Sequence, residues 1–140
     1  MEISQEQLIK APPERVFAAL NDAAVLQKCI PGCESLEKTP DGRMRAAVKV
    51  KIGPVNARFS GAVQLSDITP PHGCTISGEG TAGAAGFAKG EAVVRLAADA
   101  DGTILRWTAK VQTGGKIAQL GGRLIESVAK KLAGQFFDSL

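Results

Sequence analysis

Through most of the chain, apolar residues recur at every second position. Met44, Ala46, Val48, Val50 and Ile52 alternate with Arg43, Arg45, Lys49 and Lys51. Val55, Ala57, Phe59, Gly61, Val63 and Leu65 alternate with Asn56, Arg58, Ser60 and Gln64, and Leu105, Trp107, Ala109 and Val111 with Arg106, Thr108 and Lys110. A period of two with one polar side predicts strands buried on one face only, as in antiparallel sheets; parallel sheets, covered on both faces, give continuous apolar runs. Turn residues separate the segments at Thr39-Pro40-Asp41-Gly42, Gly53-Pro54, Pro70-Pro71-His72-Gly73 and Asp99-Ala100-Asp101-Gly102, so neighbouring strands join as hairpins. Adding residues 3–9, 36–39, 74–80 and 87–97 gives about seven strands.

Three stretches change to helical spacing. Pro12-Pro13 begins the first, with Val16, Phe17 and Leu20 over Pro13–Leu20, because proline is tolerated in a first turn where its missing N–H is unneeded. Asn21 and Asp22 end it and offer a cap for a second short helix over Ala23–Cys29, which Ile30-Pro31-Gly32 breaks. After Gly114-Gly115, the residues Ile117, Leu120, Leu124, Val128, Leu132 and Phe136 fall three or four apart, predicting one helix over residues 116–137. Glu126, four residues before Lys130, adds a surface pair. At 1.5 Å per residue that helix is roughly 33 Å long, the span of a ten-residue strand. The expectation is an α+β fold: a curved antiparallel sheet whose apolar face is covered by the long C-terminal helix.

The inner face carries little bulk in places. Cys74, Ile76, Gly78 and Gly80 share one face of their strand, and Ala88, Gly90, Ala92, Val94 and Leu96 share one face of the next. Glycine inside a strand weakens it and marks a bend, a close backbone approach or a ligand. Two explanations compete. Either the glycines let the sheet bend sharply with the helix packed close, or they border a cavity lined by Val48, Val50, Ala57, Phe59, Gly78, Gly90, Trp107, Leu120 and Leu124. Such a cavity would be almost wholly apolar and suited to a hydrophobic ligand.

Composition narrows the class. A chain of 140 residues suits one domain, here residues 1–140, and buries enough surface to need no metal or disulfide staple. With 44% hydrophobic and 22% charged residues it is an ordinary globular composition apart from its 16 glycines. No apolar run approaches the ~20 residues a bilayer span needs, and the opening Met1-Glu2-Ile3-Ser4-Gln5 does not resemble a secretory signal. Three cysteines without such a signal predict reduced thiols in the cytoplasm. A net charge of +3 is too small and dispersed for nucleic acid.

Candidate chemistry is sparse. Gly78-Glu79-Gly80-Thr81-Ala82-Gly83 spells a dinucleotide fingerprint, but another alternating strand follows where a helix should open. Gly114-Gly115-Lys116 lacks the upstream glycine and the following Ser or Thr of a phosphate loop. Cys29, Cys33, His72 and Cys74 are the only soft ligands, and no metal site is expected. No catalytic residues are predicted, tyrosine is absent, and Arg123, Lys130 and Lys131 offer a basic face for a partner or for anionic headgroups.

Taken together these residues resemble the CoxG family of carbon monoxide dehydrogenase subunits, within the START-like (SRPBCC) helix-grip superfamily. The resemblance is carried by Ile9-Lys10-Ala11-Pro12-Pro13-Glu14-Arg15-Val16-Phe17, Leu20-Asn21-Asp22, Cys29-Ile30-Pro31-Gly32-Cys33-Glu34, Lys51-Ile52-Gly53-Pro54-Val55, Gly78-Glu79-Gly80, Gly86-Phe87-Ala88-Lys89-Gly90 and Gly115-Lys116-Ile117-Ala118-Gln119-Leu120-Gly121. It implies about seven strands gripping the C-terminal helix, two short helices after the first strand, and a cavity of the kind in which the superfamily binds apolar ligands. It also implies a non-catalytic accessory of a molybdenum-containing carbon monoxide dehydrogenase or related hydroxylase, with no intrinsic cofactor. Such an accessory would hold a quinone or other lipid and work in the cytoplasm or at the inner face of its membrane. An assembly or recruitment factor without a ligand, and a cyclase or dehydratase of the same superfamily, are the alternatives. Many members continue beyond the long helix into a linker and a membrane-binding tail, whereas this sequence stops at Leu140.

Overall fold

The computed structural model describes residues 2–140. The strands are β1 (Glu2–Ile9), β2 (Cys33–Lys38), β3 (Met44–Ile52), β4 (Val55–Thr69), β5 (Gly73–Thr81), β6 (Phe87–Asp99) and β7 (Gly102–Gly114). They form one sheet in the order β1-β7-β6-β5-β4-β3-β2, with every neighbouring pair antiparallel. From β2 onward each strand turns back on its predecessor. β1 instead joins the far edge, pairing Ile3 with Ala109 and Ile9 with Thr103.

Helices α1 (Pro13–Leu20) and α2 (Ala23–Cys29) lie between β1 and β2. Pro13 occupies the first turn of α1. The Asp22 carboxylate caps α2, accepting from the backbone N–H groups of Ala24 at 2.9 Å and Val25 at 3.4 Å, two of the donors a helix start leaves unpaired. Thr103, fully buried, donates its hydroxyl to the Ala11 carbonyl at 2.6 Å and ties the β1–α1 corner to β7.

The C-terminal segment differs from the continuous helix expected over residues 116–137. Lys116–Leu120 is a 3-10 turn, and α3 runs from Gly122 to Asp138. Gly121, at φ +97, stands in the left-handed region, which right-handed helical backbone cannot pass through, so the apolar stripe is divided between two elements. The 17 residues of α3 reach about 25 Å. Its Lys130 Nζ lies 3.1 Å from Glu126 Oε1, the expected surface pair.

Two packed clusters flank the middle of the sheet's inner face. One joins Ile3, Leu105, Trp107, Val94 and Leu96 of the sheet to Val16 and Leu20 of α1 and Phe137 of α3. The other joins Leu36, Met44 and Ala46 to Leu26 of α2. Phe136 packs against both, and the Trp107 and Phe137 rings stack at 5.7 Å. The C-terminal end of α3 is further held by Gln7 Nε2, which donates to Asp138 at 3.0 Å, and by the Cys29 thiol, 3.3 Å from the Ser139 carbonyl. This is the helix-grip arrangement: an antiparallel sheet curved around one helix, with two short helices after the first strand.

Candidate functional site

Strand register decides which small residues meet. Across the inner face, one cross-strand row reads Val111, Gly90, Gly78, Val63 and Met44; the next reads Thr113, Ala88, Gly80, Gly61 and Ala46. Four glycines therefore form one contiguous block over β4, β5 and β6. The block has two physical causes. A Cβ on Gly61 would overlap the Glu79 carbonyl, and one on Gly90 would come within 3.2 Å of the Lys110 carbonyl, so these two follow from close backbone approach. A Cβ on Gly78 would meet nothing nearer than the Ala62 carbonyl at 3.7 Å and Val63 Cγ2 at 3.9 Å, which is ordinary contact. The backbone does not require glycine at position 78; the missing side chain there is space.

That space is a cavity of two lobes between the sheet and α3. One, of about 320 Å³, is walled by Val48, Val50, Phe59, Gly80, Gly90 and Thr113 on the sheet side and by Ile117, Ile125, Val128, Ala129 and Leu132 opposite. Glu79 and Lys89 also border this lobe, but strand alternation puts them in the row that faces outward. The other lobe, of about 330 Å³, runs under α2 and the C-terminal half of α3. Its walls include Leu26, Ile30, Pro31, Ile76, Trp107, Ala133, Phe136 and Phe137. Gly78, Val48, Val63, Val111, Ala129 and Leu132 border both lobes, so the bare strand position lies at their junction. Each lobe falls within the roughly 300–1,000 Å³ of small-molecule sites. On the outer face of the sheet, a polar groove of about 580 Å³ lies among Arg43, Glu79, Lys89, Glu91 and Lys110, with Gly78 and Gly90 again in its wall. At those two residues, only backbone separates the groove from the apolar cavity.

Of the residues expected along the cavity, Val48, Val50, Phe59, Gly78, Gly90 and Trp107 are brought together in its walls. Leu120, Leu124 and Ala57 are not among the lining residues. Leu120 ends the 3-10 turn, Leu124 leans on the β3–β4 turn with Cδ2 2.9 Å from where a Gly53 Cβ would stand, and Ala57 is buried within the sheet. The break at Gly121 changes the helix phase, so Ile125, Ala129, Leu132 and Phe136 present the inner face instead. Their spacing of four, three and four residues is a readable signal. Thr113 is a further lining residue that alternation alone does not single out. Its hydroxyl is the only one among the lining side chains and makes no hydrogen bond among the described residues.

Titratable chemistry is scarce here. Trp107 Nε1 is covered by protein and has no hydrogen-bond partner among the described residues. Cys29, Cys33 and Cys74 are free thiols, each with its pKa raised by burial; at Cys33 a hydrogen bond to Ser35 partly offsets this. Among the described residues, no three His, Cys, Asp or Glu side chains are grouped to hold a metal, and no helix is long and apolar enough to cross a membrane. The Gly78–Gly83 fingerprint runs from β5 through a 3-10 turn at Gly83–Ala85 into β6, not into the helix a nucleotide site needs. Arg123, Lys130 and Lys131 are exposed on α3, with Lys130 engaged by Glu126.

Comparison with known proteins agrees with this geometry. A conserved protein from Geobacillus kaustophilus is 31% identical, with a TM-score of 0.92 over 99% of this chain and 91% of that one. A protein of Thermus thermophilus is 20% identical (TM-score 0.71, 99% of this chain, 93% of that one). An aromatase/cyclase from a Streptomyces species is 15% identical (TM-score 0.69, 99% and 90%). The last two share the fold alone. No curated protein sequence matches. The family model of CoxG, a carbon monoxide dehydrogenase subunit, matches residues 6–140. Its coverage of nearly the whole sequence, on a helix-grip fold, establishes that this chain belongs to the CoxG family of carbon monoxide dehydrogenase subunits.

Proposed function

We propose that this chain is a non-catalytic accessory of a molybdenum-containing carbon monoxide dehydrogenase or related hydroxylase. It holds a hydrophobic ligand, a quinone or another lipid, in the two-lobed cavity and links the enzyme to the membrane. Family membership supports the accessory role. The ligand reading rests on one observation above all: Gly78 stands at the junction of two apolar lobes although its backbone would accept a side chain. Close-packed interiors do not leave such room without cost, because atoms beside a void lose their contacts. The lining, with Thr113 as its single hydroxyl, contains no inward acid–base pair and supports holding over catalysis. The exposed cations Arg123, Lys130 and Lys131 supply a face for the enzyme or for anionic headgroups at the inner side of the cytoplasmic membrane.

Solvent extraction of the purified protein followed by mass spectrometry tests the reading. A stoichiometric isoprenoid quinone or other lipid is expected. Protein that carries none and also takes up neither menaquinone nor ubiquinone would overturn it.

A further inference from the structure

The cavity has two unlike ends, and this bears on how any ligand lies in it. Along β7, Thr113 and Trp107 are six residues apart on the same inner face, roughly 20 Å at ~3.3 Å per residue. At the Trp107 end the lining is apolar apart from the indole nitrogen of Trp107, which is covered by protein and has no partner among the described residues, and Trp107 stacks on Phe137. At the other end stands the Thr113 hydroxyl, without a partner among the described residues. Thr113 is half-exposed and its hydroxyl is not closed off by protein, so it stands open to an incoming acceptor.

The charge distribution has the same direction. The Thr113 end is built from residues 49–58, 80–90 and 112–125, which touch one another where Gly53 meets Leu124 and Gly86 meets Gly115. These segments contain the cations Lys49, Lys51, Arg58, Lys89, Lys116 and Arg123, against Glu79, Glu91 and Glu126 at their edges, Glu79 standing opposite Lys89 across β5 and β6, so this end keeps an excess of positive charge. Arg58 is neutralised by Glu34, 2.8 Å away, whereas Lys116 and Arg123 are exposed and outside every ion pair among the described residues. A positive field over the Thr113 end favours an electron-rich head there and disfavours it at the far end.

We infer that the cavity takes an elongated amphiphile in one direction, with an oxygen-bearing head, carbonyl or carboxylate, accepting from the Thr113 hydroxyl and an apolar body running to the Trp107–Phe137 end. The inference rests on the carrier reading and adds ligand class and polarity to it.

Trp107 is the only tryptophan and the chain has no tyrosine, so intrinsic fluorescence reports on one end of the cavity alone. Bromine quenches indole emission on close approach. The full chain is titrated with 16-bromohexadecanoate and with 2-bromohexadecanoate, binding being measured separately by calorimetry. The tail-labelled acid is expected to quench Trp107 at least threefold more than the head-labelled acid at equal saturation. Thr113→Val, which keeps the shape, is expected to weaken both acids about three- to tenfold, the value of one hydrogen bond, with an unchanged melting temperature. Stronger quenching by the head-labelled acid, equal quenching by both, or unchanged affinity in Thr113→Val would overturn the inference while leaving the carrier reading standing. Calorimetry without binding of either acid, menaquinone or ubiquinone would overturn both.

Discussion

Two glycines one strand apart have opposite reasons for being glycine. Gly61 has the Glu79 carbonyl where a side chain would begin; Gly78 has only ordinary contacts and a cavity beyond. Gly61→Ala should therefore cost about 1–3 kcal/mol, as overpacking does, measurable by urea unfolding. Gly78→Leu should leave the urea midpoint close to that of the unmodified protein while filling the lobe junction. A large loss of stability from Gly78→Leu would mean the space is not there. The thiols give a second contrast. Cys29 and Cys74 are buried and Cys33 is half-buried, and burial raises all three pKa values. Because the thiolate is the reactive form, alkylation at neutral pH should be slow and should label Cys33 first, as peptide mass spectrometry would record. A thiol pKa raised in the folded state means the unfolded chain loses its protons first. The thiol contribution to stability is thus complete below the ordinary thiol value of 9.0 and falls as pH rises through it toward the folded-state values. A thiol contribution that grew above pH 9 would contradict this.

The strands and the two short helices were legible in the sequence because their signals are local. Alternation marks each strand, and proline and aspartate mark the helix starts. The C-terminal helix was legible in its face but not in its beginning. A run of large apolar residues from Ile117 to Phe136 satisfies helical spacing whether or not the backbone is continuous, and the adjacent Gly121 and Gly122 were the only sign that it is not. The stripe of large side chains contains Leu124 and not Ala129, although a small residue is what lets a helix border a cavity. Since α3 is fixed chiefly at its C-terminal end, Phe137→Ala should be costly, about 3–5 kcal/mol for a buried aromatic. Calorimetry or urea unfolding reads that value; a cost below about 1 kcal/mol would mean the Trp107–Phe137 stack does not hold the helix. Removing residues 116–140 takes away the cover of the sheet and should abolish cooperative unfolding, checked by thermal circular dichroism. A folded, soluble fragment ending at Gly115 would contradict the architecture.

For the whole molecule, the central feature is a sheet whose inner face is packed on both flanks and open in the middle. Individual glycines, and the Gly78–Gly80 pair on one strand face, were readable in the sequence; their assembly into one block was not, because Gly61 comes beside Gly80, and Gly90 beside Gly78, only through strand register. Arg123, Lys130 and Lys131, the partner face proposed above, are exposed and outside the cavity lining, so on that proposal capture of a hydroxylase should survive Gly78→Leu while ligand uptake does not. Parallel loss of both in a pull-down would mean the ligand forms part of the docking surface. The central claim is that this opening is a ligand site, and the most direct measurement is the dissociation constant for an isoprenoid quinone, measured by titration calorimetry on the full chain and on Gly78→Leu. Saturable binding at one site per chain, weakened at least tenfold by the substitution at unchanged stability, is the predicted result. Binding to both proteins with equal affinity, or to neither, would contradict it.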